Sequence, residues 1–308
     1  MRECLEGVFR QSHENIEIII SDNHSTNGIG IFLAKISNQN QKIKLVKPDT
    51  FLSMVENFIY AFKHASGDFL CPLSSDDIIF PDHVKSLLGG FDKESNLAFS
   101  CSAPLFFKES ISEKWVPNVY KTGFYEGHLF AQLCLKHGGC SFGAILIKRD
   151  LFVRIGGFDS QFNYAFDVDL IFRLLCVGNV VFYNKPTSAI RLWERLEQQN
   201  RRPESILDLS RLFRNIIKEH MYKGDLQLIK RCQKTLMLGA AAPIPAYILL
   251  RKGDTLTHLK TAENILKNYS NFWTNLILKN KSNIIGISIS LTWLTFVKIK
   301  WIFNKKFI

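Results

Sequence analysis

The feature that most narrows what this chain can fold into is the passage from the apolar run Asp68 to Leu73 into SSDDIIFPDH, Ser74 to His83, where Asp76 and Asp77 stand side by side. A strand-length apolar run that ends in a loop and is followed by a helix belongs to an open α/β sheet. The ligand crevice of such a sheet lies beyond the carboxyl ends of its strands. Two carboxylates there can hold a divalent cation against a diphosphate, because hard cations take oxygen ligands and share them with substrate phosphates. The same residues also suit the start of a helix running from Pro81, where Asp76 or Asp77 would accept backbone N–H groups. From this stretch by itself both readings stand.

The neighbouring segments bear on that choice. Upstream, IEIIISDNHSTNG (Ile16 to Gly28) is a β-rich run ending in Asp22, followed by residues that favour turns and helix caps. ENFIYAFKHASGDFL (Glu56 to Leu70) reads as a helix, a stop at Gly67 and the strand that delivers the acidic pair. Downstream come IGGFD, Ile155 to Asp159, and FDVDLIFRLL, Phe166 to Leu175. In the latter, Leu170, Ile171, Leu174, Leu175 and Val177 recur at helical spacing. Asp167 and Asp169 then fall in the first turn, where carboxylates also favour the helix dipole for stability alone. Arg173 stands four residues after Asp169 and suits an ion pair with it as well as an anion contact.

In this order and at these spacings the four motifs resemble the family-two glycosyltransferases of the GT-A fold, from about Glu3 to about Arg191. The resemblance implies an α/β fold, a Rossmann-like mixed sheet flanked by helices, over residues 1–200. It implies transfer of a sugar, with inversion, from a nucleotide-sugar donor to a glycan or lipid-linked acceptor in cell-surface polysaccharide synthesis. Asp22 matches the aspartate that contacts the nucleotide base. Asp76 matches the ribose and metal-proximal position, and Asp77 the ligand of a Mn²⁺ or Mg²⁺ ion that bridges the diphosphate. Asp167 matches the general base, with Asp169 as its rival. Gly156, Gly157, Phe158, Asp159, Arg173 and Arg191 match positions that meet the acceptor or the diphosphate. Where the family commonly has a glutamate before the base, this chain has Phe166.

Members of the family also open with an apolar strand and a loop carrying Pro and Asn, before a helix like Glu3 to Gln11. Here the chain begins inside that helix. The expectation is a sheet lacking a central strand, with backbone groups left unpaired on both sides, each costing about 1 to 3 kcal/mol if buried. A start codon assigned too late, a truncated gene, or a different segment filling the place would each account for it. The alternative to an enzyme is therefore a truncated, non-catalytic remnant or accessory protein of the same fold.

Composition separates the remaining third. Residues 1–200 hold 20 Lys and Arg against 22 Asp and Glu, a net of 20 − 22 = −2, whereas residues 201–308 hold 19 against 6, a net of 19 − 6 = +13. Helical apolar spacing over Glu204 to Tyr222, Asp225 to Leu238 and Thr255 to Tyr269 marks 201–308 as a basic helical appendage. Ser282 to Val297 has no charge and lies between lysines, yet it is shorter than the roughly 20 residues a spanning helix needs. With Trp293, Phe296, Trp301 and Phe303, residues 282–303 suit an interfacial anchor on an anionic membrane, placing the protein at the cytoplasmic face. A packed core helix or a strand is the competing reading. Nucleic acid is not expected as a partner, because the basic tail has no aromatic platform outside its most apolar stretch. Seven scattered cysteines with no C-x-x-C pair read as reduced, mostly core, thiols of a cytosolic protein. No signal peptide precedes the first helix.

Overall fold

A computed structural model of the chain describes residues 1–192 apart from 27, 93, 95, 110 and 112–119, and beyond them 208, 211, 212, 215, 216, 226, 227, 229 and 230. The chain forms two compact units, Met1–Arg195 with His220–Asp225, and Leu196–Glu219 with Leu226–Ile308. In the second unit, the described residues are helical and Asp208 lies 3.6 Å from Arg211. The expected helix Thr255 to Tyr269 and the segment 282–303 lie outside the described residues. Among the described residues no helix is long and apolar enough to cross a membrane.

The first unit alternates helices and strands: α1 (Arg2–Phe9), β1 (Ile18–Ser21), α2 (Ile29–Gln39), β2 (Ile43–Val46), α3 (Met54–Lys63), β3 (Phe69–Leu70), β4 (Ile78–Ile79), α4 (His83–Phe91), β5 (Leu97–Ser102), β6 (Leu105–Phe107), β7 (Gly123–Tyr125), α5 (Gly127–His137), a 3₁₀ turn (Phe142–Ala144), β8 (Ile145–Lys148), α6 (Arg149–Arg154), α7 (Phe166–Val177), β9 (Asn179–Tyr183) and β10 (Ser188–Arg191). Local chemistry accounts for several boundaries. Ser53 and Glu56 close a capping box at the start of α3, which satisfies two backbone donors reciprocally. That helix ends at His64, so Gly67 is not its stop. Instead the amides of Ser66 and Gly67 donate to Glu17 Oε1 at 2.6 and 2.7 Å, tying the approach to β3 to the approach to β1.

Three sheets result. The largest has the order β3-β8-β5-β9-β7, with β5 and β9 parallel and the other pairings antiparallel. Every residue of β5 is buried, consistent with a strand covered on both faces by α4 and α7. In a second sheet β10 lies between β4, antiparallel, and β6, parallel. The third pairs β1 with β2 in parallel. Among the described residues, β1 has no partner on its other edge and neither has β3, and no described strand joins them.

Helix packing depends on close backbone approach at two glycines. A Cβ on Gly7 of α1 would come within 2.6 Å of the Ile79 carbonyl oxygen, and one on Gly127 within 2.2 Å of the Leu175 carbonyl oxygen. Six phenylalanines, Phe58, Phe62, Phe142, Phe152, Phe158 and Phe166, form one aromatic cluster joining α3, the 3₁₀ turn, α6 and α7, with ring centroids 5.0 to 6.4 Å apart. Of the thiols, Cys4, Cys101 and Cys134 are buried, Cys71 and Cys140 half-buried and Cys176 exposed, all free; Cys232 lies outside the described residues.

Candidate active site

The acidic loop leaves β3, turns with the Asp77 amide donating to the Ser74 carbonyl at 3.1 Å, and enters β4. Neither Asp76 nor Asp77 caps α4, whose N-cap position is Asp82. The strand β4 intervenes, so the helix-cap reading gives way. Asp76 is half-exposed, whereas Asp77 is turned inward and exposes 6% of its surface. One Asp77 oxygen, Oδ1, accepts the Arg191 backbone N–H at 2.9 Å. The other abuts Gly143, where a Cβ would stand 3.1 Å from Oδ2. Burial pushes the Asp77 carboxyl up to about 6; the Arg191 N–H opposes that rise and the Asp76 charge adds to it.

Arg191 closes β10 over this loop. Its guanidinium donates to the Asp76 carbonyl at 3.3 Å and the Lys108 carbonyl at 3.1 Å, pairs with Glu3 at 2.7 Å and lies 4.3 Å from the centre of the Phe107 ring. The resemblance made it an anion contact; here it joins the acidic loop to β6 and α1.

Asp22 follows β1 and exposes little surface, although it lies shallow in the protein. Burial acts to raise its pKa, but hydrogen bonds from Ser25, with the nearby charges of Lys47 and His24, outweigh that and hold it below the usual value. Its Oδ1 accepts the Ser25 N–H at 2.9 Å. The next residue, Asn23, exchanges two bonds with the Leu52 backbone and so fixes the loop ahead of α3.

At the start of α7 the two aspartates part company. Asp169 is buried and holds Arg173 at 2.5 and 2.8 Å, while Arg173 also donates to the Ile155 carbonyl at 3.0 Å, tying α7 to the IGGFD loop. Asp167 keeps some surface exposed. Dense surroundings nonetheless raise its pKa by burial, against the Val168 and Asp167 backbone N–H groups that lower it. Phe166, where the resemblance implies a glutamate, is buried in the aromatic cluster. Phe158 is buried in the same cluster, and Gly156 and Gly157 take φ of 85° and 67° in the turn before it. Phe158 therefore serves packing; Asp159 accepts the Gln161 N–H at 2.9 Å.

Two adjacent residues link the acidic loop to α7: Phe142 packs on Phe166 at 5.7 Å and Gly143 abuts Asp77. These, with Glu3 of α1, are the parts of the site that sequence reasoning missed. Ser141 and Phe142 carry no motif of their own; Gly143, just before the apolar run Ala144 to Ile147, is the one available signal.

Residues 1–156, just over half of the chain, match the family Glycosyl transferase family 2. The chain belongs to that family. An uncharacterised glycosyltransferase of Rickettsia typhi is 28% identical over 187 residues, covering 59% of this chain and 56% of that protein. The chain spans about half or less of the length of the first curated relatives it matches. Among solved structures, S. aureus TarS 1-349 in complex with UDP has a TM-score of 0.62 at 13% identity, covering 96% of this chain and 87% of that one. The mannosyltransferase PcManGT from Pyrobaculum calidifontis, in complex with GDP-Man and Mn²⁺, has a TM-score of 0.54 at 13% identity, covering 99% and 83%. At such identities the likeness shows the fold alone, which is GT-A, with helices flanking mixed sheets as the motifs implied.

The metal that this family implies can be tested against the donor set. Among the described residues, no cluster of three or more His, Cys, Asp or Glu side chains could hold a metal by itself. A cation shared with a diphosphate needs only one or two protein carboxylates. A half-exposed Asp76 on a loop that also carries the Ser74 and Ser75 hydroxyls supplies hard oxygen donors of that kind. The residues present fit such an ion.

Proposed function

We propose that this chain is an inverting glycosyltransferase that moves a sugar from a nucleoside-diphosphate donor to a hydroxyl of a glycan or lipid-linked acceptor in cell-surface polysaccharide synthesis. The observation that carries the reading is that the acidic loop after β3 and the aspartate-bearing start of α7 meet at the 3₁₀ turn, where Gly143 abuts Asp77 and Phe142 packs on Phe166. Asp22 supports it as an ionised acceptor for a base N–H at the end of β1. Asp76 would hold Mn²⁺ or Mg²⁺ against the diphosphate, and the bound ion supplies charge neutralisation for the departing diphosphate. Asp167 takes the proton of the acceptor oxygen as that oxygen attacks C1 from the face opposite the leaving group. A carboxylate whose pKa is raised by burial is a stronger base than an ordinary one. Asp169, committed to Arg173, is the weaker candidate for that role.

Titration calorimetry tests the donor site. UDP, TDP and GDP are each titrated with and without Mn²⁺, and at least one should bind only with metal; equal affinity in both conditions for all three sinks the reading. A second reading, a non-catalytic protein of the same fold, is favoured by one observation, the buried Phe166 where the family places a glutamate. It expects donor binding without transfer. Contact with an anionic membrane at its cytoplasmic face rests on the charge and patterning of residues 201–308.

A further inference from the structure

We infer that Asp77 is a positioning residue that latches the acidic loop to β10, and that Asp76 is the carboxylate presented to a cation; this rests on the reading of the loop as the donor site. The two aspartates are adjacent, so sequence assigns them equal standing, but the fold leaves Asp76 half-exposed and buries Asp77. A metal ligand directs its lone pairs into space that a cation and a diphosphate can enter. Asp77 exposes 6% of its surface and spends Oδ1 on the Arg191 N–H at 2.9 Å, with Oδ2 against the Gly143 backbone. The tie runs in both directions. The backbone of Arg191 binds the Asp77 side chain, and the Arg191 side chain binds the Asp76 carbonyl at 3.3 Å. The guanidinium is in turn pinned by Phe107, the Lys108 carbonyl and Glu3. Residues 77 and 191 are 114 apart in the chain, so this long-range tie adds to the loop's own short turn, to the Cys4 thiol on the Ser74 carbonyl and to two-residue β4.

Asparagine separates the two roles, since its amide oxygen can accept the Arg191 N–H while it lacks the charge a cation requires. The experiment compares the full chain with Asp77→Asn, Asp77→Ala and Asp76→Asn. It reads Mn²⁺-dependent binding of the nucleoside diphosphate that the wild-type chain binds, by calorimetry. It also reads amide hydrogen exchange of the β10 segment without metal or nucleotide. Asp77→Asn is expected to keep binding within about threefold and to keep β10 protection. Asp77→Ala should weaken binding at least tenfold and lower protection of the Arg191 amide at least tenfold. Asp76→Asn should lose the metal requirement with β10 protection unchanged. Loss of metal-dependent binding in Asp77→Asn as deep as in Asp76→Asn overturns the inference, as does unchanged protection in Asp77→Ala. A wild-type chain that binds none of the nucleotides overturns the reading of the site and the assignment of Asp76 with it. That failure is distinct from failure of the latch, which the exchange measurement reads without ligand.

Discussion

Burial of His83 makes one contribution to the stability of the first unit depend on pH. Its side chain is fully buried; Nδ1 lies 2.8 Å from Thr187 Oγ1, which is 2.6 Å from Ser102 Oγ, and Nε2 lies 3.5 Å from Cys71 Sγ. Burial lowers its pKa from 6.5 to about 4, against a bond at Thr187 that raises it. Between those values the unfolded chain binds the proton and the folded chain does not. The stability this group preserves is therefore complete above pH 6.5 and is lost as pH falls toward 4. The gap is worth about 3 kcal/mol, a large share of the 5 to 15 kcal/mol typical of a domain.

Asp77 acts in the opposite sense. Its folded pKa, raised from 3.8 to about 6, makes charge burial a cost above pH 6 that disappears as pH falls to 3.8. These two contributions nearly cancel, and other carboxylates such as Asp22 and Asp169 shift as well, so only a difference measurement isolates the histidine. His83→Asn keeps an amide where Nδ1 meets Thr187 and cannot ionise. Urea unfolding followed by circular dichroism from pH 4 to 8 should show the variant less stable at pH 7 by about 1 to 2 kcal/mol, for lost packing. That deficit should shrink and reverse toward pH 4, a total change of about 3 kcal/mol. A deficit constant with pH would refute the assignment of a neutral buried imidazole.

Three other outcomes are expected. Asp167→Asn should lower sugar transfer by about 10² to 10⁴ with donor binding near normal, measured by single-turnover transfer. Asp169→Asn should instead lower the unfolding free energy by about 3 kcal/mol through the unpaired Arg173; reversed effects would make Asp169 the base. Deleting residues 282–308 should release the protein from anionic vesicles in flotation, each surface lysine near the membrane contributing about 1 kcal/mol at low salt. Unchanged flotation would remove the membrane from its partners.

Sequence by itself determined the element types and where carboxylates fall relative to them. Asp22 after β1, the acidic pair after β3 and two aspartates in the first turn of α7 follow from apolar periodicity and turn chemistry, which act over a few residues. The capping box at Ser53 and Glu56 is local in the same way. Tertiary structure decided which carboxylate faces where. A loop has no periodicity to tell residue 76 from residue 77, and the difference is made by an N–H supplied by Arg191. It also decided that Arg173 joins Asp169 to the Ile155 loop and that Phe158 and Phe166 belong to packing. Contacts across the aromatic cluster join residues as far apart as Phe58 and Phe166. Ring packing depends on the space left between α3, the 3₁₀ turn, α6 and α7, which exists only after those elements have docked.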